Sequence, residues 1–294
     1  MNRLLALALL MVAGCDQPEP FTPDCSGLDE ARAYECVEQY YWRVFQVDRD
    51  ERVDAHADFG AVLDEHAPGD PALSFERANV YFRRGQLAMA IAIEENVGDD
   101  QIRFVASIVP DFEQTERLAP DYSIVVSWKA SMEIAIAHVT GDDARATELY
   151  DAAEREIRED PLGNVPSISG TAIGLPLSTG VPQRVIEAID EWECEGPEFC
   201  ERNTEHAPWA RPGMAYHWAE HYARVGDRET TVRYLDESLS AEGFDAWPYR
   251  WVVEEAAADP DALLARFAER GEDGSCFDIM YANAEYGCVF CHAP

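Results

Sequence analysis

The chain has 294 residues and a formal net charge of −34, from 57 acidic and 23 basic side chains. That length buries one sizeable core or two smaller ones. So acidic a surface repels phosphate backbones and anionic lipid, which argues against nucleic acid as a partner and against docking on membranes through a basic patch. The charge reads first as a solubility device, and second as an acidic face for a basic partner. Lysine occurs only at Lys129, inside the apolar-periodic stretch "SIVVSWKASMEIAIAHV". Phosphate-cradling loops and Schiff-base chemistry are therefore not expected.

The first predicted element is an address. "MNRLLALALLMVAGC" carries Arg3, an apolar run from Leu4 to Val12, and small residues before Cys15, the layout of an export leader over residues 1–14. Its nine apolar residues fall short of the roughly 20 a membrane-crossing helix needs. Val12-Ala13-Gly14-Cys15 resembles the lipobox of bacterial lipoproteins. The resemblance implies that Cys15 is lipidated and begins the mature chain, with the protein anchored to the cell envelope on its periplasmic or cell-surface face. The alternative is an ordinary secretory leader with a chance cysteine. Removing Arg3 with the leader leaves 22 basic and 57 acidic residues, a net −35. Residues 15–24 are Pro-rich and polar, suiting a semi-extended tether.

A helical N-terminal half is expected over residues 25–161. A first helix pair is read at Tyr40 to Val47 and Val53 to Leu63, with "HAPGDP" as its exit turn. Three stretches then share one order of small, aromatic and glycine residues: Ala78, Tyr81, Gly85 and Ala90; Gly141, Ala146, Tyr150 and Ala153; Ala219, Tyr222, Gly226 and Thr231. Each predicts a helix, a tight turn at or near glycine, and a second helix packed closely on the first. The order is similar to that of the tetratricopeptide (TPR) repeat family. That resemblance implies an all-α, TPR-like superhelix or bundle of helix pairs that contacts protein partners through its surface. Gly85 to Gly141 is 56 residues and Gly141 to Gly226 is 85, against a family period of about 34, so intervening pairs are degenerate. Independently of the family, Ala146, Leu149, Tyr150, Ala153 and Ile157 form one helical stripe, and Asp142 and Asp143 favour the positive end of that helix.

Residues 162–182, "LGNVPSISGTAIGLPLSTGVP", are rich in Gly, Pro and Ser and read as a connector with one short buried helix near Ile173. A C-terminal helical half follows at 183–275, then a Cys-rich tail at 276–294. Pro212-Gly213, Gly226-Asp227, Ala246 to Arg250 and the closing C-x-x-C-H resemble exported TPR-containing lipoproteins over residues 205–294. That likeness implies an architecture and no activity.

Export permits disulfides. Of 8 cysteines, 7 remain beyond Cys15, an odd number that cannot all pair within the chain. Cys25 with Cys36 and Cys194 with Cys200 are the candidate pairs, leaving Cys276, Cys288 and Cys291. Cys288, Cys291 and His292 form C-x-x-C-H, the attachment signature of c-type cytochromes. Resemblance to that family implies thioether bonds from both sulfurs to haem c and His292 as the axial iron ligand, for electron transfer or sensing. Met280 and the other histidines are candidates for the opposite ligand. Two rival readings stay open: a disulfide from Cys276 to Cys288 or Cys291, and a zinc site of the three cysteines with His292.

His217, Glu220 and His221 stand in H-x-x-E-H order, the inverzincin pattern, which implies a weaker zinc-hydrolase alternative with Glu220 as base. The packing roles of Ala219 and Tyr222 place these histidines toward the helix flank. One of them as a distal haem ligand is the more economical reading. The aromatic strings Tyr40 to Phe45 and Phe244 to Trp251 are expected in the core.

Overall fold

The computed structural model describes residues 28–44, 51–66, 74–95, 108–192 and 207–280. Of these residues 77% are helical and none is in a strand. The helices run α1 (Glu30–Val44), α2 (Arg52–His66), α3 (Ser74–Glu95), α4 (Val109–Leu118), α5 (Ile124–Val139), α6 (Asp143–Glu159), α7 (Pro161–Ala172), α8 (Val181–Glu191), α9 (Ala210–Arg224), α10 (Arg228–Ser240), α11 (Arg250–Ala258) and α12 (Pro260–Ala268). The fold is an all-α bundle of packed helix pairs. None of the described helices is long and apolar enough to cross a membrane.

Two pairs, α5–α6 and α9–α10, are joined by the same turn. Gly141 (φ +82°) and Gly226 (φ +80°) occupy the left-handed region that costs glycine little and other residues more. After α5, Asp142 N–H donates to Ala137 O at 2.8 Å and Gly141 N–H to His138 O at 2.8 Å. After α9, Asp227 N–H donates to Tyr222 O at 2.9 Å and Gly226 N–H to Ala223 O at 3.1 Å. These bonds satisfy carbonyls that a helix end would otherwise leave open. The aspartate next to each glycine then caps the following helix, Asp142 accepting from Arg145 N–H and Asp227 from Thr230 N–H. The expected stripe is buried as read: Ala146, Tyr150, Ala153 and Ile157 are each at most 3% exposed, with Leu149 half-buried.

Gly85 departs from that pattern. α3 continues through it as a single 22-residue helix, so no turn lies there. A Cβ on Gly85 would stand 2.8 Å from the Phe112 ring; the glycine instead lets α4 lie close against α3. The upstream pair also differs in extent, since α1 begins at Glu30, ten residues before the expected Tyr40.

The stretch expected to hold one short buried helix near Ile173 does hold a buried helix. Residues 161–172 form α7, and Val165, Ile168, Ala172, Ile173 and Leu175 are buried. The small residues that suggested a loop permit close approach to α5, where the Ser131 hydroxyl donates to Ser167 O at 2.9 Å. One continuous apolar core runs from Ala130 through α7 to Met280. Separate clusters form around Tyr34 to Val80 and around Phe82 to Met132. Tyr249, between α10 and α11, packs against both the N-terminal cluster and the main core. The two ends of the helical array therefore meet.

Candidate functional site

Among the described residues, helix α9 carries the densest set of buried ionisable groups. Twelve of its fifteen residues are buried, because it is covered on every side. α10 and α12 pack along it, Trp192 after α8 meets Trp218 edge-on at 6.1 Å, and the Tyr222 hydroxyl donates to Asp190 of α8. His217, Glu220 and His221 are 9%, 0% and 0% exposed. They are interior groups, not flank groups as the pattern of Ala219 and Tyr222 suggested. An amphipathic reading fails for a helix that has no solvent face.

Their chemistry follows from that enclosure. The His221 Nδ1–H donates to His217 O at 2.7 Å, which leaves the lone pair on Nε2. Among the described residues His217 Nδ1 has no hydrogen-bond partner, and His221 faces the Ser169 backbone of α7. Burial pushes the His217 pKa down to about 4. Burial, and secondarily the neighbouring His217, holds His221 well below its ordinary value. Both rings are thus neutral at physiological pH. Glu220 Oε1 accepts from Arg266 of α12 at 2.8 Å, so the would-be base is committed to an ion pair.

A zinc site does not fit this arrangement. Two imidazoles bound to one tetrahedral zinc at about 2.0–2.1 Å hold their centroids about 5 Å apart, whereas those of His217 and His221 are 4.2 Å apart. No group of three or more His, Cys, Asp or Glu residues among the described ones is placed to hold a metal ion. Nor does either ring offer a porphyrin a face without opening the core. Lys129 is also committed, donating to Glu116 at 2.9 Å.

A second cluster forms where the C-terminal segment leaves the bundle. Residues 272–280 dock on the turn after α7: Cys276 N–H donates to Gly174 O at 2.9 Å and Ser178 N–H to Glu272 O at 3.0 Å. The Arg224 guanidinium, buried at the end of α9, donates to Gly274 O at 2.8 Å and Leu175 O at 3.2 Å. The Phe277 ring lies so close to Gly174 that a Cβ there would be 3.1 Å from it. On its other side Phe277 stacks on His138 of α5, with centroids 5.0 Å apart. His138 Nδ1 in turn pairs with Asp143 Oδ1 at 2.5 Å. No motif flagged His138; its signal was that it precedes the Thr140-Gly141-Asp142 turn, which brings Asp143 back toward it.

Cys276 is a free thiol, 0% exposed, with its pKa raised by burial. The candidate disulfide from Cys276 to Cys288 or Cys291 is therefore not formed. Cys36 is disulfide-bonded, to a partner outside the described residues. Cys15, Cys25, Cys194, Cys200, Cys288, Cys291 and His292 lie outside the described residues. Met280 is fully buried. Phe244 and Trp247 are core residues as expected, but Trp251 is 44% exposed. The chain matches no family model, and no curated protein or solved structure is significantly similar to it.

Proposed function

We propose that this chain is an exported, lipid-anchored helical-repeat protein whose surface holds protein partners and whose tail carries one c-type haem for electron transfer or haem-linked sensing. The observation that carries the haem is the C-x-x-C-H string of Cys288, Cys291 and His292 in a chain whose first fourteen residues read as an export leader. The free, buried Cys276 supports it, because that thiol does not compete for either tail cysteine. The scaffold part is supported by the repeated helix-Gly-Asp-helix pairs, a geometry that builds extended contact surfaces. Cys15 is the proposed anchor, and the membrane is met through it alone.

A pyridine haemochrome assay on denatured protein, made in a host competent for haem attachment, tests the reading. The expected result is one covalent haem per chain, lost on changing Cys288 and Cys291 to Ala. A colourless wild-type protein overturns it. The oxidised Cys36 favours a second reading, in which the tail cysteines close a structural disulfide on a haem-free scaffold. A Cys288–Cys291 disulfide peptide in a non-reduced digest would establish that alternative.

A further inference from the structure

Residues 272–280 form a strap moored on two elements, the turn after α7 and the end of α9. Cys276 N–H and the Ser275 hydroxyl both donate to Gly174 O, at 2.9 and 3.2 Å, and Ser178 N–H donates to Glu272 O. Arg224 of α9 clamps the strap to that turn, donating to Gly274 O and to Leu175 O. Arg224 is 3% exposed, and its Nε has no hydrogen-bond partner among the described residues. The one acidic group acting on it there is the Cys276 thiol, so carbonyls alone hold this buried cation.

The face of α9 that carries the clamp also carries the histidine pair. His217, His221 and Arg224 stand at i, i+4 and i+7, one stripe of the helix. That stripe is turned to α7, where His221 faces the Ser169 backbone and Arg224 reaches Leu175 O. The two rings are 4.2 Å apart, and among the described residues no carboxylate is hydrogen-bonded to either. The titratable groups around them are engaged elsewhere. Glu220 pairs with Arg266 of α12, Asp190 of α8 accepts from Tyr222, and Tyr234 of α10 stacks on Tyr222. The strap contributes Cys276.

From this geometry we propose that His217 and His221 are a proton-operated release for the strap, which goes beyond the haem reading and stands without it. When either ring takes a proton, the C-terminal half of α9 parts from α7, Arg224 lets go of Gly274 O, and residues 272–280 come away with the Cys276 thiol uncovered. A proton added at His217 Nδ1 finds no acceptor in the closed core, and an unpartnered buried charge is costly. A positive His221 stands one turn from the positive Arg224, a like-charge pair on a face closed to water. Both costs vanish once the rings meet solvent. His217 titrates near 4 while enclosed and near 6.5 once exposed, so acid favours the open form and the release works between those values. Linkage raises the opening equilibrium about 20-fold between pH 7 and pH 5 for one histidine, and towards about 500-fold where both titrate. The strap holds no α-helix of its own, so its departure is a local opening that leaves the helices in place.

The test labels the full-length protein with dithiodipyridine between pH 7 and pH 5 and reads the Cys276 peptide by mass spectrometry. Each rate is divided by that of a short cysteine peptide at the same pH. The corrected rate should climb at least about 20-fold while far-ultraviolet circular dichroism stays unchanged. His217→Gln combined with His221→Gln should flatten the profile, and Arg224→Met, which removes the clamp, should label rapidly already at pH 7. The wild-type profile, read with its circular dichroism, decides the matter without any variant. A flat wild-type profile overturns the proposal, as does a rise that follows loss of helix or one that persists in the double glutamine variant.

Discussion

Lowering the pH should destabilise this protein through α9. His217 is buried and its pKa is pushed down to about 4, whereas an unfolded chain presents it near 6.5. Between those values the unfolded state binds the proton and the folded state refuses it, so stability is complete above pH 6.5 and falls as pH drops. The slope approaches about 1.4 kcal/mol per pH unit, and integration from pH 7 to pH 5 gives a loss of about 2 kcal/mol from His217 alone. His221 moves in the same direction and adds to the loss. The carboxylates held low, Glu154, Asp227 and Asp261, lose stability in the same direction as pH falls, but at lower pH than the histidines. Urea unfolding followed by circular dichroism at pH 7, 6 and 5 measures the effect. His217→Gln, similar in size and without a titrating ring, should lose about 2 kcal/mol less than wild type over that interval. Equal losses in the two proteins would refute the claim that His217 is held neutral by enclosure.

Gly226→Ala should cost about 1–2 kcal/mol, purely through backbone strain, because no atom lies within 4 Å of a Cβ at that position; an unchanged urea midpoint would contradict the left-handed turn. Gly85→Ala, which ordinarily strengthens a helix by about 1 kcal/mol, should instead destabilise, since the new methyl meets Phe112. Adding Phe112→Leu to Gly85→Ala should recover part of that loss, and additive losses would count against the contact. Glu220→Leu should leave Arg266 without its carboxylate and cost about 3 kcal/mol, read as a lower thermal midpoint at pH 7.

Much of the α5–α6 and α9–α10 geometry was legible because each turn carries two signals: a glycine for the left-handed residue and an aspartate to cap the next helix. Gly85 has only the first. It is followed by Gln86, which does not cap, and the helix runs on. At α7 composition pointed to a short buried helix near Ile173 but set it in a connector, since Gly and Ser serve tight helix contact as readily as they serve loops. Pro161 sits at the start of that helix, where its missing N–H costs nothing. The enclosure of His217 and His221 was not legible because it depends on α7, α8, α10, α12 and the C-terminal segment all meeting α9. No local window contains that information. His138 and Phe277 are 139 positions apart, and only the docking of residues 272–280 brings them together.

The most direct test of the proposed function is the intact mass of the protein extracted from the membranes of an expressing cell. A chain beginning at Cys15, bearing lipid and one covalent haem, is the predicted species, and trypsin should yield a haem-linked peptide containing Cys288 and Cys291. A mature chain whose mass is accounted for by its amino acids and disulfides alone, with neither lipid nor haem, would contradict the proposal.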